Sequence, residues 1–346
     1  MGPLSLTTTE EGSRGYRLAP LPPCARTTGE SWAWPKADPR AFGVGFMAPS
    51  CALFLLFTRL SPNMSNNGPV LITGCSSGVG RAAARAFHAA GYATFATARN
   101  PETLDELAAI GCETLALDVT DEAARRAAVE AVERRFGAVG ILVNNAGYGQ
   151  YGPIEEVSLD AMRRQFETNV FGAMRLSQLV LPAMRRAGKG RIVNVSSVAG
   201  RVSVMGGGAY HAAKFALEAI ADALRPEVEP FGVDVVNVLP GPIATHFEAA
   251  LMKTIPQLDA AADGNPYASF KKNLARRMHA FLTPGGFGVM TAEHVARVVL
   301  KAATTSRPRT RYSVGFIARF GPSGRALAPD RLVDAVTRYD ISSRGD

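Results

Sequence analysis

Short apolar runs alternate with longer amphipathic segments from residue 69 onward. The apolar runs cover residues 70–73, 92–98, 114–117, 140–144, 191–195 and 233–239, and residues 311–314 form a seventh run. Each run has the length of a buried strand, and the segments between them have the length of helices. We therefore predict a single doubly wound α/β domain, with a parallel sheet of about seven strands and helices on both faces.

Capping residues mark the ends of several predicted helices. The first helix ends at Gly91, a residue type typical of the position just after a helix. Asn100 is expected to start another helix, and Thr120 to cap a helix over residues 121–136. A long helix is predicted around residues 169–186.

The two ends of the chain differ from its middle. Residues 1–63 are rich in Pro, Gly, Thr and Ser, and their apolar run at 51–57 is far shorter than the ~20 residues that span a bilayer. They fit a non-folding leader, which we favour, a weak membrane anchor, or a stretch upstream of the true start. We place the folded domain at residues 64–320 and a C-terminal tail at 321–346.

Composition argues against several classes of protein. Hydrophobic residues make up 47% of the 346, enough for a large core, and the charged fraction of 20% argues against disorder of the bulk. The net charge is +8, but the arginines after Lys301 are spaced apart, which disfavours nucleic-acid binding and fits a solvated or anion-facing surface. Four scattered cysteines and five histidines without ligand spacing predict no disulfide framework, no metal site and a reducing compartment.

A glycine-rich turn with the spacing G-x-x-x-G-x-G joins the first predicted strand to the first helix. Backbone N–H groups and the positive end of the helix dipole attract an anion there, and glycines let it approach closely. The turn could be no more than a turn, but its place at the first strand–helix junction favours a phosphate loop. Its candidate binding residues are Gly74, Ser76, Ser77, Gly78, Val79 and Gly80.

The end of the second predicted strand is where folds of this kind read the adenosine ribose of a dinucleotide. An acidic residue there accepts a hydrogen bond from the 2′-hydroxyl, whereas an arginine suits a 2′-phosphate. This chain has Ala98-Arg99-Asn100 and no acid. Arg99 could instead be an exposed charge at the start of a helix, but the pattern favours NADP(H) over NAD(H).

Tyr210 and Lys214 lie four residues apart and would share one face of a helix. Ser197 precedes Tyr210 by thirteen residues, at the end of an apolar run. The serine and the phenol could hydrogen-bond a carbonyl oxygen, and the ammonium would lower the pKa of the phenol so that it exchanges a proton. The alternative is a half-buried tyrosine beside a solvated lysine, since Tyr-x-x-x-Lys by itself is common.

Taken together, these motifs resemble the short-chain dehydrogenase/reductase family. The matching pieces in chain order are residues 73–80, Asp118-Val119, residues 144–147, Asn169, Ser197, residues 210–214 and residues 240–245. The resemblance covers about residues 68–250. It implies a Rossmann-type fold, hydride transfer between a nicotinamide and a carbonyl or alcohol, and a homo-oligomer, either a dimer or a tetramer.

The resemblance also implies a role for each matching residue. Tyr210 is expected to be the acid/base, Ser197 to hold the substrate oxygen, and Asn169 to continue a proton relay through water. Lys214 is expected to bind the nicotinamide ribose and to lower the pKa of Tyr210. The other residues expected at the cofactor, besides the glycine-rich turn, are Asp118 and Val119 at adenine, the backbone of Asn145, Ala146 and Gly147 along the dinucleotide, and Ile243 and Thr245 at the carboxamide.

The segment at about residues 246–290 is expected to form helices that cover the nicotinamide end and select the substrate. Loops at 99–101, 148–152 and 307–312 resemble those of the branch with steroid, retinoid and acyl-dihydroxyacetone-phosphate reductases, which implies a hydrophobic substrate. The candidate contacts, each of which could instead belong to the core, are His246, Phe247, Leu251, Met252, Ile255, Phe270, Met278, Phe281, Phe287, Tyr148, Tyr151, Val204 and Met205.

The sequence thus predicts a cytoplasmic NADP(H)-dependent oxidoreductase, for which contact with a membrane is compatible but not required. Two alternatives stay open: an NAD(H)-dependent dehydrogenase of the same family, and a catalytically silent dinucleotide-binding regulator. The complete set of four predicted catalytic residues argues against the regulator, because a regulator need only keep the phosphate loop.

Overall fold

The computed structural model describes residues 68–245, 247–255, 265–286 and 288–342. The predicted leader at 1–63 lies outside these residues, as do two of the candidate substrate contacts, His246 and Phe287. None of the helices within the described ranges combines the length and the apolar character needed to cross a bilayer.

The described residues form one sheet of parallel strands. The strands are β1 (Val70–Ile72), β2 (Thr94–Ala98), β3 (Glu113–Ala116), β4 (Ile141–Asn144), β5 (Gly190–Val195), β6 (Val233–Pro240) and β7 (Arg311–Val314). Their order is β3-β2-β1-β4-β5-β6-β7. The order reverses between β1 and β4, which leaves a crevice at the carboxyl ends of these strands, where α/β proteins bind ligands. The predicted Rossmann-type sheet is confirmed.

Helices cover both faces of this sheet. Those in the described part of the chain are α1 (Gly78–Ala89), α2 (Asp105–Ala109), α3 (Glu122–Phe136), α4 (Leu159–Phe166), α5 (Gly172–Ala187), α6 (Gly208–Val228), α7 (Phe247–Met252), α8 (Ala268–Leu282), α9 (Ala292–Thr304), α10 (Phe316–Leu327) and α11 (Asp330–Ser342). Because side chains alternate along a strand, Val70 and Ile72 join the core under α1 and α9, while Leu71 joins the core under α3, α5 and α6.

The cap of α3 differs from the prediction. Asp121 is the capping residue, since its carboxylate accepts a 2.6 Å hydrogen bond from the Ala124 N–H. Thr120 lies one residue earlier, and both its N–H and its hydroxyl donate to the Asp118 carboxylate, at 2.9 and 2.8 Å. Thr120 was the wrong choice because its hydroxyl is already bound within the preceding turn.

The helix predicted around residues 169–186 also differs. The helical stretch begins earlier, with α4, passes through a π-helical turn at Glu167–Phe171, and continues as α5. A π-helical turn inserts an extra residue into the helical ladder and is often found at functional sites. Asn169 lies in the middle of this turn rather than at the start of a regular helix.

Residues of the predicted C-terminal tail form the end of α10 and all of α11. Both helices keep large apolar side chains exposed, among them Phe320, Leu327 and Leu332. Strand β7 matches the predicted seventh run at residues 311–314.

Candidate active site

A cavity of about 1280 Å³ opens at the carboxyl ends of the strands. It extends from the glycine-rich turn before α1 to the covering helices α7 and α8. Most predicted site residues line it, namely Gly74, Ser76, Ser77, Gly78, Val79, Arg99, Asp118, Val119, Asn145, Ala146, Gly147, Ser197, Tyr210, Lys214, Ile243 and Thr245. Gly80 and Asn169 do not line the cavity and instead support its wall.

Hydrogen bonds tie the glycine-rich turn to the segment that follows β4. The Thr73 hydroxyl accepts from the N–H groups of Asn145 and Ala146, both at 2.9 Å. The Asn145 side-chain amide donates in return to the Thr73 carbonyl at 2.8 Å. A Cβ on Gly80 would lie 2.3 Å from the Gly74 carbonyl oxygen and 2.4 Å from the Asn145 amide nitrogen. Gly80 must therefore be glycine for these two segments to meet.

The N-terminus of α1 faces the cavity through Gly78 and Val79. Its first turn contains no acidic residue, so its positive dipole end is not neutralised. The glycine-rich turn, the backbone N–H groups at the start of α1 and the helix dipole together form the kind of site that binds a dinucleotide phosphate. The residues of this turn therefore fit a bound dinucleotide.

Asp118 and Arg99 line the cavity beyond the ends of β3 and β2. Burial by itself would raise the pKa of Asp118, but hydrogen bonds from Thr120 and the charges of Arg99 and Arg125 outweigh it and hold the pKa below its usual range. Arg99 is exposed. This end of the cavity thus presents one carboxylate and one guanidinium to a ligand.

Asn169 holds the loop that follows β4. Its Oδ1 accepts from the Tyr148 N–H at 3.2 Å, and its Nδ2 donates to the Tyr148 carbonyl at 2.9 Å. Gln165, one turn earlier, also donates to that carbonyl, at 3.0 Å. Both side chains are buried. The side chain of Asn169 therefore fixes the backbone beside Gly147.

Tyr210 and Lys214 occupy the first two turns of α6 and are 8% and 5% exposed. The Ser197 hydroxyl lies near enough to the phenol of Tyr210 to act on its pKa. The Lys214 Nζ lies 5.9 Å from the centre of the Tyr210 ring and donates a 3.0 Å hydrogen bond to the Val195 carbonyl. The three predicted catalytic side chains on this side of the cavity are thus brought together.

Burial shifts the pKa values of both Tyr210 and Lys214. Burial raises the pKa of Tyr210 to about 12, against the opposing hydrogen bond from Ser197. Burial lowers the pKa of Lys214 to about 8, although the charge of Glu218 opposes this. Both shifts follow from loss of water, which disfavours the charged form of each group.

Apolar and aromatic side chains line the other end of the cavity. The ring centre of Tyr210 lies 5.8 Å from that of Tyr151 and 5.7 Å from that of Phe247. The predicted contacts that line the cavity are Phe247, Leu251, Met278, Phe281, Tyr148, Tyr151, Val204 and Met205. Three others do not line it: Ile255 is buried in the apolar cluster around α7 and α8, and Met252 and Phe270 are partly buried against that cluster.

Sequence reasoning missed Leu274, Leu282 and His211, which also line the cavity. Leu274 and Leu282 lie four residues before and after Met278, which was predicted. That spacing places all three on one face of α8, so helical periodicity could have found them. His211 is buried next to Tyr210, with its ring centre 6.0 Å from that of the tyrosine.

The fold and this site are those of a dinucleotide-binding oxidoreductase. The family model described as "short chain dehydrogenase" matches residues 69–256. The chain belongs to the short-chain dehydrogenase/reductase family.

Several curated proteins named as oxidoreductases, reductases or dehydrogenases are similar to the chain. The chain is 35% identical over 268 residues to the uncharacterized oxidoreductase YbbO of Escherichia coli K12, covering 77% of this chain and 93% of the relative. It is 33% identical over 282 residues to the NADPH-dependent 3-dehydrocapnine reductase of Ornithobacterium rhinotracheale, covering 78% and 96%. It is 35% identical over 305 residues to human retinol dehydrogenase 5, covering 83% and 92%.

Solved structures of family members are similar as well. A short-chain dehydrogenase from Streptomyces avermitilis matches with a TM-score of 0.64 and 35% identity, covering 80% of this chain and 98% of that one. A family member from Burkholderia phymatum in complex with NAD matches with a TM-score of 0.62 and 26% identity, covering 75% and 92%. Similar structures also carry NADP, so the family likeness supports a nicotinamide dinucleotide as cofactor.

Proposed function

We propose that this chain is an NADP(H)-dependent oxidoreductase acting on a carbonyl or secondary alcohol of a hydrophobic substrate. The observation that carries the proposal is that Tyr210, Ser197 and Lys214 line the same cavity as the glycine-rich turn. When bound, the reduced dinucleotide would supply the hydride to a carbonyl, and the oxidised dinucleotide would accept it from an alcohol. The residues of the chain supply the proton and hold the substrate oxygen.

The roles of the catalytic side chains follow from their protonation. A phenol whose pKa is raised to about 12 is neutral at pH 7, so Tyr210 is suited to donate a proton to a carbonyl oxygen that gains charge. The Ser197 hydroxyl donates a second hydrogen bond to that oxygen. Lys214, whose pKa is lowered to about 8, is mostly an ammonium at pH 7 and stabilises the phenolate that remains. Asn169 holds the loop that closes this side of the cavity.

The preference for NADP(H) depends on Arg99, which lines the cavity at the end of β2. A guanidinium there suits a 2′-phosphate. The name of one relative specifies NADPH, whereas one similar structure holds NAD. An NAD(H)-dependent dehydrogenase is therefore the alternative that the cofactor comparison must test.

The hydrophobic substrate is supported by the lining of the cavity. Tyr151, Phe247 and Leu274 surround the substrate side of Tyr210. One relative is named for retinol, an apolar alcohol. We propose a steroid-, retinoid- or lipid-like carbonyl or alcohol.

A homo-oligomer is proposed through the central helices. An apolar groove of about 270 Å³ lies between α5 and α6 and is lined by Met174, Leu181, Ile220 and Leu224. A second copy of the chain would cover these side chains. Light scattering of the purified protein should then give the mass of a dimer or tetramer, and a monomeric mass would contradict this assembly.

The function is tested by turnover of the purified full-length chain. The protein is mixed with NADPH or NADH and a panel of hydrophobic ketones and aldehydes, and the loss of absorbance of the reduced nicotinamide is followed. Tyr210→Phe should lower kcat by about 10²–10⁴-fold, while NADPH binding, measured by fluorescence, should persist. Binding without any turnover by the parent across the panel would favour the silent regulator.

Tyr312→Phe is the matched control for the loss of a phenol. Tyr312 lies on β7, outside the cavity, and its hydroxyl accepts from the Arg309 N–H at 3.2 Å. The kinetic constants of Tyr312→Phe should stay within about twofold of those of the parent, because this variant loses only an exposed hydrogen bond outside the cavity. Parent-like turnover by the Tyr210 variant would refute the assigned chemistry.

A further inference from the structure

Three asparagines form a hydrogen-bonded row across adjacent strands, here called the asparagine row. Asn144, Asn194 and Asn237 are register partners on β4, β5 and β6. The Asn144 Nδ2 donates to the Asn194 Oδ1 at 3.0 Å, and the Asn194 Nδ2 donates to the Asn237 Oδ1 at 3.0 Å. All three are at most 5% exposed. Buried amides joined in this way polarise one another.

The asparagine row ends on a buried carboxylate of α6. The Asn237 Nδ2 donates to the Glu218 Oε1 at 2.9 Å, and the Arg311 Nε donates to the Glu218 Oε2 at 2.8 Å. Arg311 is itself the register partner of Asn237 on β7. Glu218 is 3% exposed. Both of its oxygens are therefore fixed, one by the row and one by an ion pair.

Glu218 lies one helical turn beyond Lys214, on the same face of α6. The Lys214 amine bonds the carbonyl of Val195, the residue that follows Asn194 of the row. A Cβ on Gly200 would come within 2.9 Å of the Glu218 Cγ and 3.0 Å of the Lys214 carbonyl oxygen. The turn that contains Gly200 therefore packs directly on both residues and keeps water from them.

Lys214 and Glu218 have two titratable neighbours on α6 among the described residues. Tyr210 adjoins Lys214, and Asp222 shares Arg311 with Glu218. From the sheet side, Arg311 is the charged side chain that contacts Glu218. Asp222 bonds the outer part of the Arg311 guanidinium and is partly exposed, with 44% of its side chain accessible.

We propose that Glu218 is a positioning residue whose fixed negative charge keeps the Lys214 amine in its ammonium form beside Tyr210. The inference rests on the proposed function, because it matters only where Lys214 must stabilise a phenolate. Desolvation pushes the amine toward its neutral form, and the charge of Glu218 acts in the opposite direction. The asparagine row and Arg311 fix the carboxylate in place, one helical turn beyond Lys214.

The test compares Glu218→Gln with Asp222→Asn in the full-length chain. Glutamine keeps the acceptor for Asn237 and the size of the side chain but removes the charge. Asparagine at 222 removes a carboxylate from the same arginine without touching the neighbour of Lys214. Lysines carrying ¹³C at Cε are titrated by NMR without cofactor, and the Lys214 signal is assigned by its loss in Lys214→Met.

We expect the Lys214 midpoint to fall by about one pH unit in Glu218→Gln and to stay at the parent value in Asp222→Asn. A merely structural role would loosen the packing, hydrate the amine and move its midpoint up toward the ordinary value of a lysine. An unchanged or higher midpoint in Glu218→Gln, or equal shifts in both variants, would overturn the proposal.

Two further measurements keep the outcomes distinct. The alkaline limb of the kcat profile should move with the NMR midpoint in Glu218→Gln. Absence of turnover by the parent would refute the proposed function and leave the NMR result to decide the role of Glu218.

If Glu218→Gln does not fold, Arg311→Gln is titrated by NMR instead. Loss of that positive charge should raise the midpoint, and an unchanged midpoint there overturns the proposal.

Discussion

The Lys214 amine donates a 3.0 Å hydrogen bond to the carbonyl of Val195, at the carboxyl end of β5. This bond anchors a buried cation to the sheet rather than to the tyrosine with which it shares a helix face. The amine thus keeps its place whether or not Tyr210 is ionised. Its burial carries a cost in stability, and that cost can be measured.

Lys214→Met should be more stable than the parent at pH 7. The fall of the Lys214 pKa from its ordinary 10.5 to about 8 corresponds to roughly 3 kcal/mol against the buried charged form. Loss of the bond to Val195 offsets about 1 kcal/mol of this, so the free energy of unfolding should rise by about 2 kcal/mol. Urea denaturation measures it, and Lys272→Met, an exposed lysine on α8, should change it by less than about 0.5 kcal/mol.

The difference in free energy of unfolding between Lys214→Met and the parent should decrease as the pH rises. Between about pH 8 and 10.5 the unfolded chain holds a proton on Lys214 that the folded chain has lost, so this residue makes the parent more stable as pH rises through that window. The advantage of Lys214→Met should shrink from pH 7 to pH 10. An advantage that grows with pH would contradict the assigned burial of the charge.

Arg99→Ala should weaken the preference for NADPH. A hydrogen bond to a charged group contributes about 1.5–3 kcal/mol, so KM for NADPH should rise by roughly 10- to 100-fold while KM for NADH changes little. Steady-state kinetics with both cofactors measure this. Arg85→Ala, which removes an exposed arginine that pairs with Glu106 on the surface, is the control. A parent that does not prefer NADPH would refute the role given to Arg99.

Gly80→Ala should destabilise the protein and abolish dinucleotide binding. Its new Cβ would come within 2.3 Å of the Gly74 carbonyl oxygen, so the turn before α1 would have to shift, at a cost of about 1–3 kcal/mol. Gly324→Ala on α10 meets no atom within 4 Å and should be neutral or slightly stabilising. Thermal unfolding with and without NADPH compares them. Parent-like stabilisation of Gly80→Ala by NADPH would argue against the tight contact.

Glu156→Gln should loosen the attachment of α8, which forms one wall of the cavity. Glu156 pairs with the buried Lys271 at 2.9 Å and accepts from the Asn265 amide at 2.9 Å. Without the carboxylate the Lys271 ammonium stays buried and unpaired, which should cost about 3 kcal/mol. Hydrogen exchange in α8 should speed up, and KM for bulky substrates should rise. Glu155→Gln, at the exposed neighbour, should leave exchange in the body of α8 unchanged.

Low pH should also loosen the attachment of α8, because it protonates Glu156. The hydrogen bonds from Lys271 and Asn265 hold the pKa of Glu156 below its usual value. The stabilisation is therefore complete above the ordinary pKa of a glutamate and is lost as pH falls through the lowered value. Exchange in α8 should quicken below about pH 4 in the parent but change little with pH in Glu156→Gln. The same pH dependence in both proteins would exclude Glu156 as its source.

Local patterns were enough to predict most of the fold. Alternating apolar runs predicted the parallel sheet, and the strand at residues 311–314 was correct to the residue. The glycine spacing correctly predicted the turn before α1, and the Tyr210–Lys214 spacing correctly placed both residues on one face of a helix at the cavity, because both patterns depend on neighbours within one or two turns of chain. The capping choice at Thr120 failed because its hydroxyl is taken up by Asp118, a competition that residue type does not reveal.

The sequence by itself determined which residues can share a face, a strand end or a glycine turn, since these follow from the fixed periods of helix and strand. Only the tertiary structure decided how these groups ionise and which remote residues support them. Glu218 of α6 meets Arg311, 93 residues away, because Glu218 bonds Asn237 of β6 and strand register places Arg311 of β7 beside Asn237. Burial, which depends on many atoms from distant parts of the chain, raises the pKa of Tyr210 and lowers that of Lys214.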